Sequence, residues 1–183
     1  MTSVLVISGS TRSASTNTAF CRTAATAAAV ASFTGLAELP HFDPDLDHEP
    51  LPAEVAALRA AVAVADAVVF CTPEYAGTLP GSFKNLLDWL VGSTVLTDKP
   101  VAWVKVAPDA RRGEGAHATL AVVLGYVQAR VIESACVHVP ITREQVNADG
   151  TIDDPELRHR IHAAVALAAS AGGGRVDALS RVL

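Results

Sequence analysis

Three short runs, VLVIS at residues 4–8, AVVFC at 67–71 and VAWVKV at 101–106, are almost unbroken in apolar, largely β-branched side chains. A strand with one wet face alternates apolar and polar residues, so runs without alternation predict strands covered on both faces. The segments between them have helical character. Residues 17–30 are rich in alanine, a strong helix former, and residues 52–65 set Val55, Leu58 and Val62 on one side behind a proline suited to a first turn. Phe83, Leu86, Leu87 and Leu90 define a third helix over 81–91, and Leu120, Val123, Leu124 and Val127 a fourth over 115–128. Leu157, Ile161, Val165 and Ala168 mark a fifth after Pro155, while SFTGL (32–36) and ACVHV (135–139) supply two weaker strands.

Five strands alternating with five helices predict an α/β, doubly wound three-layer sandwich, because parallel neighbours need right-handed crossovers that put helices on both faces of the sheet. Two arrangements satisfy this pattern: a Rossmann half with added elements, and the flavodoxin-like strand order 2-1-3-4-5. Neither an internal repeat nor a second domain is visible, so residues 1–183 read as one domain, with GGGRVDALSRVL (172–183) as a glycine hinge and short amphipathic tail.

Half of the residues are apolar and 18% are charged, which suits a packed core. The formal charge of −5 argues against nucleic acid as a partner. No apolar stretch is long enough to span a bilayer, and the chain enters its first strand without a basic region, so a cytoplasmic location is expected. Cys21, Cys71 and Cys136 are odd in number and far apart, which argues against a disulfide framework or thiolate metal site. His41 and His48, and His159 and His162, lack further ligands at metal-binding spacing and read as solvated surface.

Ligands of open α/β sheets gather beyond the carboxyl ends of the strands, where the strand order reverses. The loops there read GSTRSASTN (9–17), TPEYAGTLPGSFKN (72–85) and APDARRGEGAHAT (107–119). The first has neither GxGxxG nor GxxxxGK[ST], so a phosphate there must be held without the dinucleotide or Walker fingerprint. Ser10, Ser15 and Thr16 offer hydroxyls, Arg12 a charged fork, and Asn17 or Thr16 a cap for the helix whose first N–H groups face the same place. This suits a terminal phosphomonoester bound without metal. The second loop sets a proline, a carboxylate and the Tyr75 ring at a strand end, a chemistry fit for a planar ring system. Cys71 has no arginine in the loop behind it, so a thiolate phosphatase is excluded and the cysteine reads as the apolar end of a strand.

GSTRSASTN resembles the GSxRxxSxN loop of the NADPH-dependent FMN reductase family, and PEYAGTLPGSFKNLLDWL resembles its PEYNxxxPGxLKNxxDW segment. The resemblance implies the flavodoxin-like fold, with a five-stranded parallel sheet of order 2-1-3-4-5, and bound FMN. It implies a phosphate against Ser10, Arg12, Ser15, Thr16 and Asn17, and Pro73, Glu74 and Tyr75 along the ribityl and ring region, largely through backbone groups. By the same resemblance Ala76, which stands where the family has asparagine, Gly77 and Gly113 adjoin the flavin. Arg111 and Arg112 are candidates for the 2′-phosphate of NADPH.

The implied activity is that of an NAD(P)H-dependent flavin oxidoreductase: hydride passes from NADPH or NADH to bound FMN, then electrons pass to a flavin, a quinone or a similar small-molecule acceptor. The cofactor carries that chemistry, so no catalytic side chain and no metal is nominated. Two alternatives are a flavodoxin-like electron carrier without nicotinamide reactivity and a flavin-free binding protein of the same fold. The resemblance also implies a homodimer or homotetramer, with Phe83, Leu87 and Trp89 serving either a subunit contact or the core.

Overall fold

The computed structural model describes residues 2–109 and 111–172. Residues 173–183 of the expected tail lie outside them. The first strand, β1 (Val4–Ser8), leads through the serine-rich loop into α1 (Thr16–Ala24) and returns as β2 (Val30–Phe33). Then follow α2 (Ala53–Val64), β3 (Ala67–Cys71), α3 (Gly81–Val91), β4 (Pro100–Val106) and α4 (Glu114–Tyr126). Two short strands, β5 (Arg130–Val131) and β6 (Val137–Val139), and the long α5 (Pro155–Gly172) complete the described chain.

All strand pairs are parallel and the order is β2-β1-β3-β4-β5, with β6 also paired to β4. This is the flavodoxin-like alternative. The unbroken apolar runs are explained by the two cores: Val4, Val6, Val69, Cys71, Ala102 and Val104 face α1 and α5, while Leu5, Ile7, Val68, Phe70 and Val101 face α2, α3 and α4. Successive strand residues point to opposite faces, so each must be apolar when both faces are covered. Phe83, Leu87 and Trp89, candidates for either a subunit contact or the core, belong to the core: each is at most 1% exposed. Trp89 Nε1–H donates to the Pro40 carbonyl at 2.8 Å, which lets an indole be buried without loss of its hydrogen bond.

Three expectations shift. The alanine-rich helix stops at Ala24, because the Thr26 hydroxyl donates to Thr23 O at 2.7 Å and Ala29 turns at φ 62° so that Val30 can pair beside Val4. Sheet pairing overrides the helix propensity of alanine. For the same reason the second strand begins at Val30, ahead of Ser32. The fifth strand is split: β5 pairs with Pro100–Val101, β6 with Val104–Val106, and one turn of 3-10 helix, Glu133–Ala135, stands between them. Between Val101 and Val104 the neighbouring chain runs from Val131 to Val137, and the surplus folds inward so that Ala135 is fully buried against α1 and α5.

Candidate active site

The loops after β1, β3 and β4 open into one cleft of ≈ 740 Å³, and the segment after β6 closes its far side. Ser10, Arg12, Ser15, Thr16 and Asn17 line it from the first loop, Pro73, Glu74 and Tyr75 from the second, and Arg112 and Gly113 from the third. The first loop is organised by its own hydroxyls. Ser8 Oγ accepts from Ser10 N–H at 3.2 Å, and Ser10 Oγ accepts from Arg12 N–H at 3.3 Å, which leaves the Ser10 O–H to donate outward. Ser15, rather than Thr16 or Asn17, is the helix cap, its Oγ accepting from Asn17 N–H at 3.2 Å. Thr16 is thereby the first helical residue, among the N–H groups that a helix start leaves unpaired. Gly9 permits this loop to pass close to β3, since a Cβ there would stand 2.5 Å from Thr72 Oγ1 and 2.9 Å from the Phe83 ring.

The second loop is a tight hairpin. Tyr75 and Thr78 exchange backbone hydrogen bonds of 3.0 and 3.1 Å, and Ala76 and Gly77 both have positive φ, 51° and 75°, as a two-residue primed turn requires. Ala76 and Gly77 occupy the tip of that turn, beside the lining residue Tyr75. The Gly77 carbonyl packs on the start of α4, where a Cβ on Gly115 would collide with it. Glu74 is the companion contact: its carboxylate accepts the N–H groups of Gly115 at 2.7 Å and Ala116 at 3.2 Å, so a side chain from the β3 loop caps a helix that follows β4.

In the third loop Gly113 caps α4 at φ 89° and lines the cleft, as does Arg112. Arg111 does not line it; its guanidinium lies 3.8 Å from Asp109 at the surface. Arg12, Lys105, Arg112 and Arg143 line the cleft against Glu74 and Glu144, which makes it more cationic than a chain of net charge −5 would suggest. The Cys71 thiol is fully buried, and burial pushes its pKa well above the usual range, so it is an inert core group.

Residues 2–144, most of the chain, match the NADPH-dependent FMN reductase family. The chain belongs to that family. This family member is 38% identical over 104 residues to a quinone reductase of Escherichia coli, a match covering 54% of each chain. It is 41% identical over 88 residues to an NADPH azoreductase of a Bacillus species, covering 46% of this chain and 48% of that one. The matches thus span about half the length of these curated relatives. Among solved structures, a flavoenzyme NAD(P)H:(acceptor) oxidoreductase from Paracoccus denitrificans superposes with a TM-score of 0.74 at 25% identity, over 93% of this chain and 98% of that one.

The side chains of this FMN reductase family member fit a flavin nucleotide on one physical ground beyond the motifs. Two buried polar atoms, Asn17 Oδ1 and His117 Nε2, lack any hydrogen-bond partner among the described residues, and both residues line the cleft. Buried polar groups are nearly always satisfied, so such orphans beside an open cleft are suited to a water or ligand partner. His117 was not among the residues nominated from sequence, although it stands four residues after Gly113, one helical turn away. The segment Ile141–Glu144 was also missed: it reads as a turn, and only its location beside β4 brings it to the cleft. Among the described residues no helix is long and apolar enough to cross a membrane.

Proposed function

We propose that the chain is an NAD(P)H-dependent flavin oxidoreductase that holds FMN in this cleft and delivers electrons to a small planar acceptor, with quinones as the first class to test. The observation that carries the reading is the hydroxyl-rich cradle at the start of α1, which shares one cleft with the Pro73–Tyr75 segment. When bound there, FMN would supply the redox chemistry of hydride acceptance and electron transfer.

The protein's part is binding and orientation. Ser10, Ser15, Thr16 and the first turn of α1 suit the phosphate, and Arg12 adds a charge at the rim. Backbone groups of Pro73, Glu74 and Tyr75 suit the ribityl chain and ring, and Gly113 suits the ring edge. Ala76 and Gly77 act at one remove, by setting the hairpin against α4. No acid, base or nucleophile is required of a side chain. Arg112, and Arg143 from the segment after β6, are the cations suited to a nicotinamide nucleotide's extra phosphate. The quinone and azo-compound reductases among the relatives favour an acceptor of that kind.

A homodimer or homotetramer is supported by Val122 and Tyr126, one turn apart on α4 and 73% and 80% exposed. A cytoplasmic location is supported by cysteines that are all free thiols.

The test is a visible spectrum of the protein loaded with FMN and desalted, repeated anaerobically with NADPH and with NADH. Flavin that stays bound and bleaches supports the reductase, and the faster nucleotide names the donor. Flavin that stays bound but is reduced by neither turns the reading toward an electron carrier, and loss of the flavin overturns it.

A further inference from the structure

His117 sits on the first turn of α4, is 6% exposed, and lines the cleft. Its Nδ1 lies 2.6 Å from the Gly113 carbonyl oxygen. A carbonyl only accepts, so Nδ1 carries the proton and Nε2, in the neutral ring, is left as a lone-pair acceptor. Burial lowers the pKa of this histidine, an effect reinforced by Lys105 and opposed by the Gly113 carbonyl and Glu74, so the ring is neutral at physiological pH. Among the described residues Nε2 is therefore a buried acceptor without a donor.

The missing donor can be identified chemically. An anionic phosphate has no proton to give at neutral pH. The ribityl hydroxyls of FMN do, but they adjoin the phosphate, which the proposed function puts at the end of β1. His117 follows β4, two strands away in the order β1-β3-β4, or about 10 Å at the usual strand spacing. At that distance the cofactor offers its ring system, and the oxidised ring has one N–H, the imide N–H between the two pyrimidine carbonyls. We propose that His117 Nε2 accepts this imide N–H and thereby sets the orientation of the flavin ring in the cleft, a role that rests on FMN being the occupant. The Nδ1–H bond to Gly113 fixes the tautomer that makes Nε2 an acceptor and ties the ring to the residue that caps α4.

The experiment compares binding of FMN and of FMN methylated at the imide nitrogen, by quenching of flavin fluorescence, to the full chain and to His117→Phe and His117→Gln. The native protein should bind FMN about ten-fold more tightly than the methylated flavin, the scale of one lost buried hydrogen bond. His117→Phe should bind FMN more weakly and discriminate little, whereas His117→Gln, which retains both an N–H and an oxygen, should keep the discrimination. Equal discrimination by the native and Phe proteins overturns the proposal while leaving FMN binding intact. Failure of the native protein to bind FMN overturns both readings. A measurement without any substitution guards against misfolding of the Phe variant: imidazole nitrogen NMR should show Nε2 unprotonated and shifted by FMN but not by the methylated flavin, and a protonated Nε2 overturns the assignment.

Discussion

Glu74 and Gly115, 41 residues apart in sequence, are joined by a 2.7 Å hydrogen bond from the Gly115 backbone N–H to the Glu74 carboxylate. The contact couples the hairpin after β3 to the helix after β4, both of which contribute residues to the cleft lining. A carboxylate at a helix start both satisfies N–H groups and meets the positive end of the helix dipole. Glu74→Ala should therefore destabilise the protein by about 1 kcal/mol, the size of a lost cap, and weaken FMN binding as the walls loosen. Urea unfolding and flavin fluorescence check the two effects. An unchanged midpoint would show that the cap contributes nothing.

Ala76 occupies a left-handed conformation that a Cβ disfavours. Ala76→Asn, whose side chain tolerates φ 51°, should raise stability by about 0.5–1 kcal/mol without altering the cleft, since residue 76 does not line it. Thermal unfolding of the two proteins measures this, with FMN affinity expected to stay the same.

Arg12 is exposed, and its guanidinium donates to the Ala14 carbonyl in its own loop, at 3.3 Å. Arg12→Ala should leave the fold and its unfolding midpoint nearly unchanged while weakening FMN about ten-fold, the scale of one charge-assisted hydrogen bond. Equilibrium dialysis against FMN reads the change, and riboflavin, which has no phosphate, should bind both proteins alike.

His117 contributes to the pH dependence of the flavin-free protein's stability. Its folded-state pKa lies below the ordinary 6.5, with burial the main cause. The unfolded chain therefore binds a proton that the folded chain refuses. The contribution of His117 to stability is complete above pH 6.5 and is lost as the pH falls through the depressed folded value. Urea midpoints between pH 7.5 and 5 should decline less steeply in His117→Gln than in the native chain. Parallel slopes would assign the acid sensitivity to other groups.

Much of the scaffold and the hydroxyl-rich first loop of the cleft was legible in the sequence because the signals are local. Unbroken apolar runs mark the strands β1, β3 and β4; apolar spacing marks α3 residue for residue; and the GSTRSASTN and PEYAG segments announce the two principal walls of the cleft. What the sequence did not reveal depends on partners distant in the chain. The end of α1 at Ala24 and the splitting of the fifth strand follow from pairing with Val4 and with β4, which local propensity does not record. The capping of α4 by Glu74, the packing of the Gly77 carbonyl on the start of α4, and the approach of residues 141–144 were decided only when β3, β4 and β6 came side by side. His117 belongs to the same class: its spacing from Gly113 is visible in the sequence, but the burial that favours its neutral ring and leaves Nε2 without a partner among the described residues exists only in the folded chain.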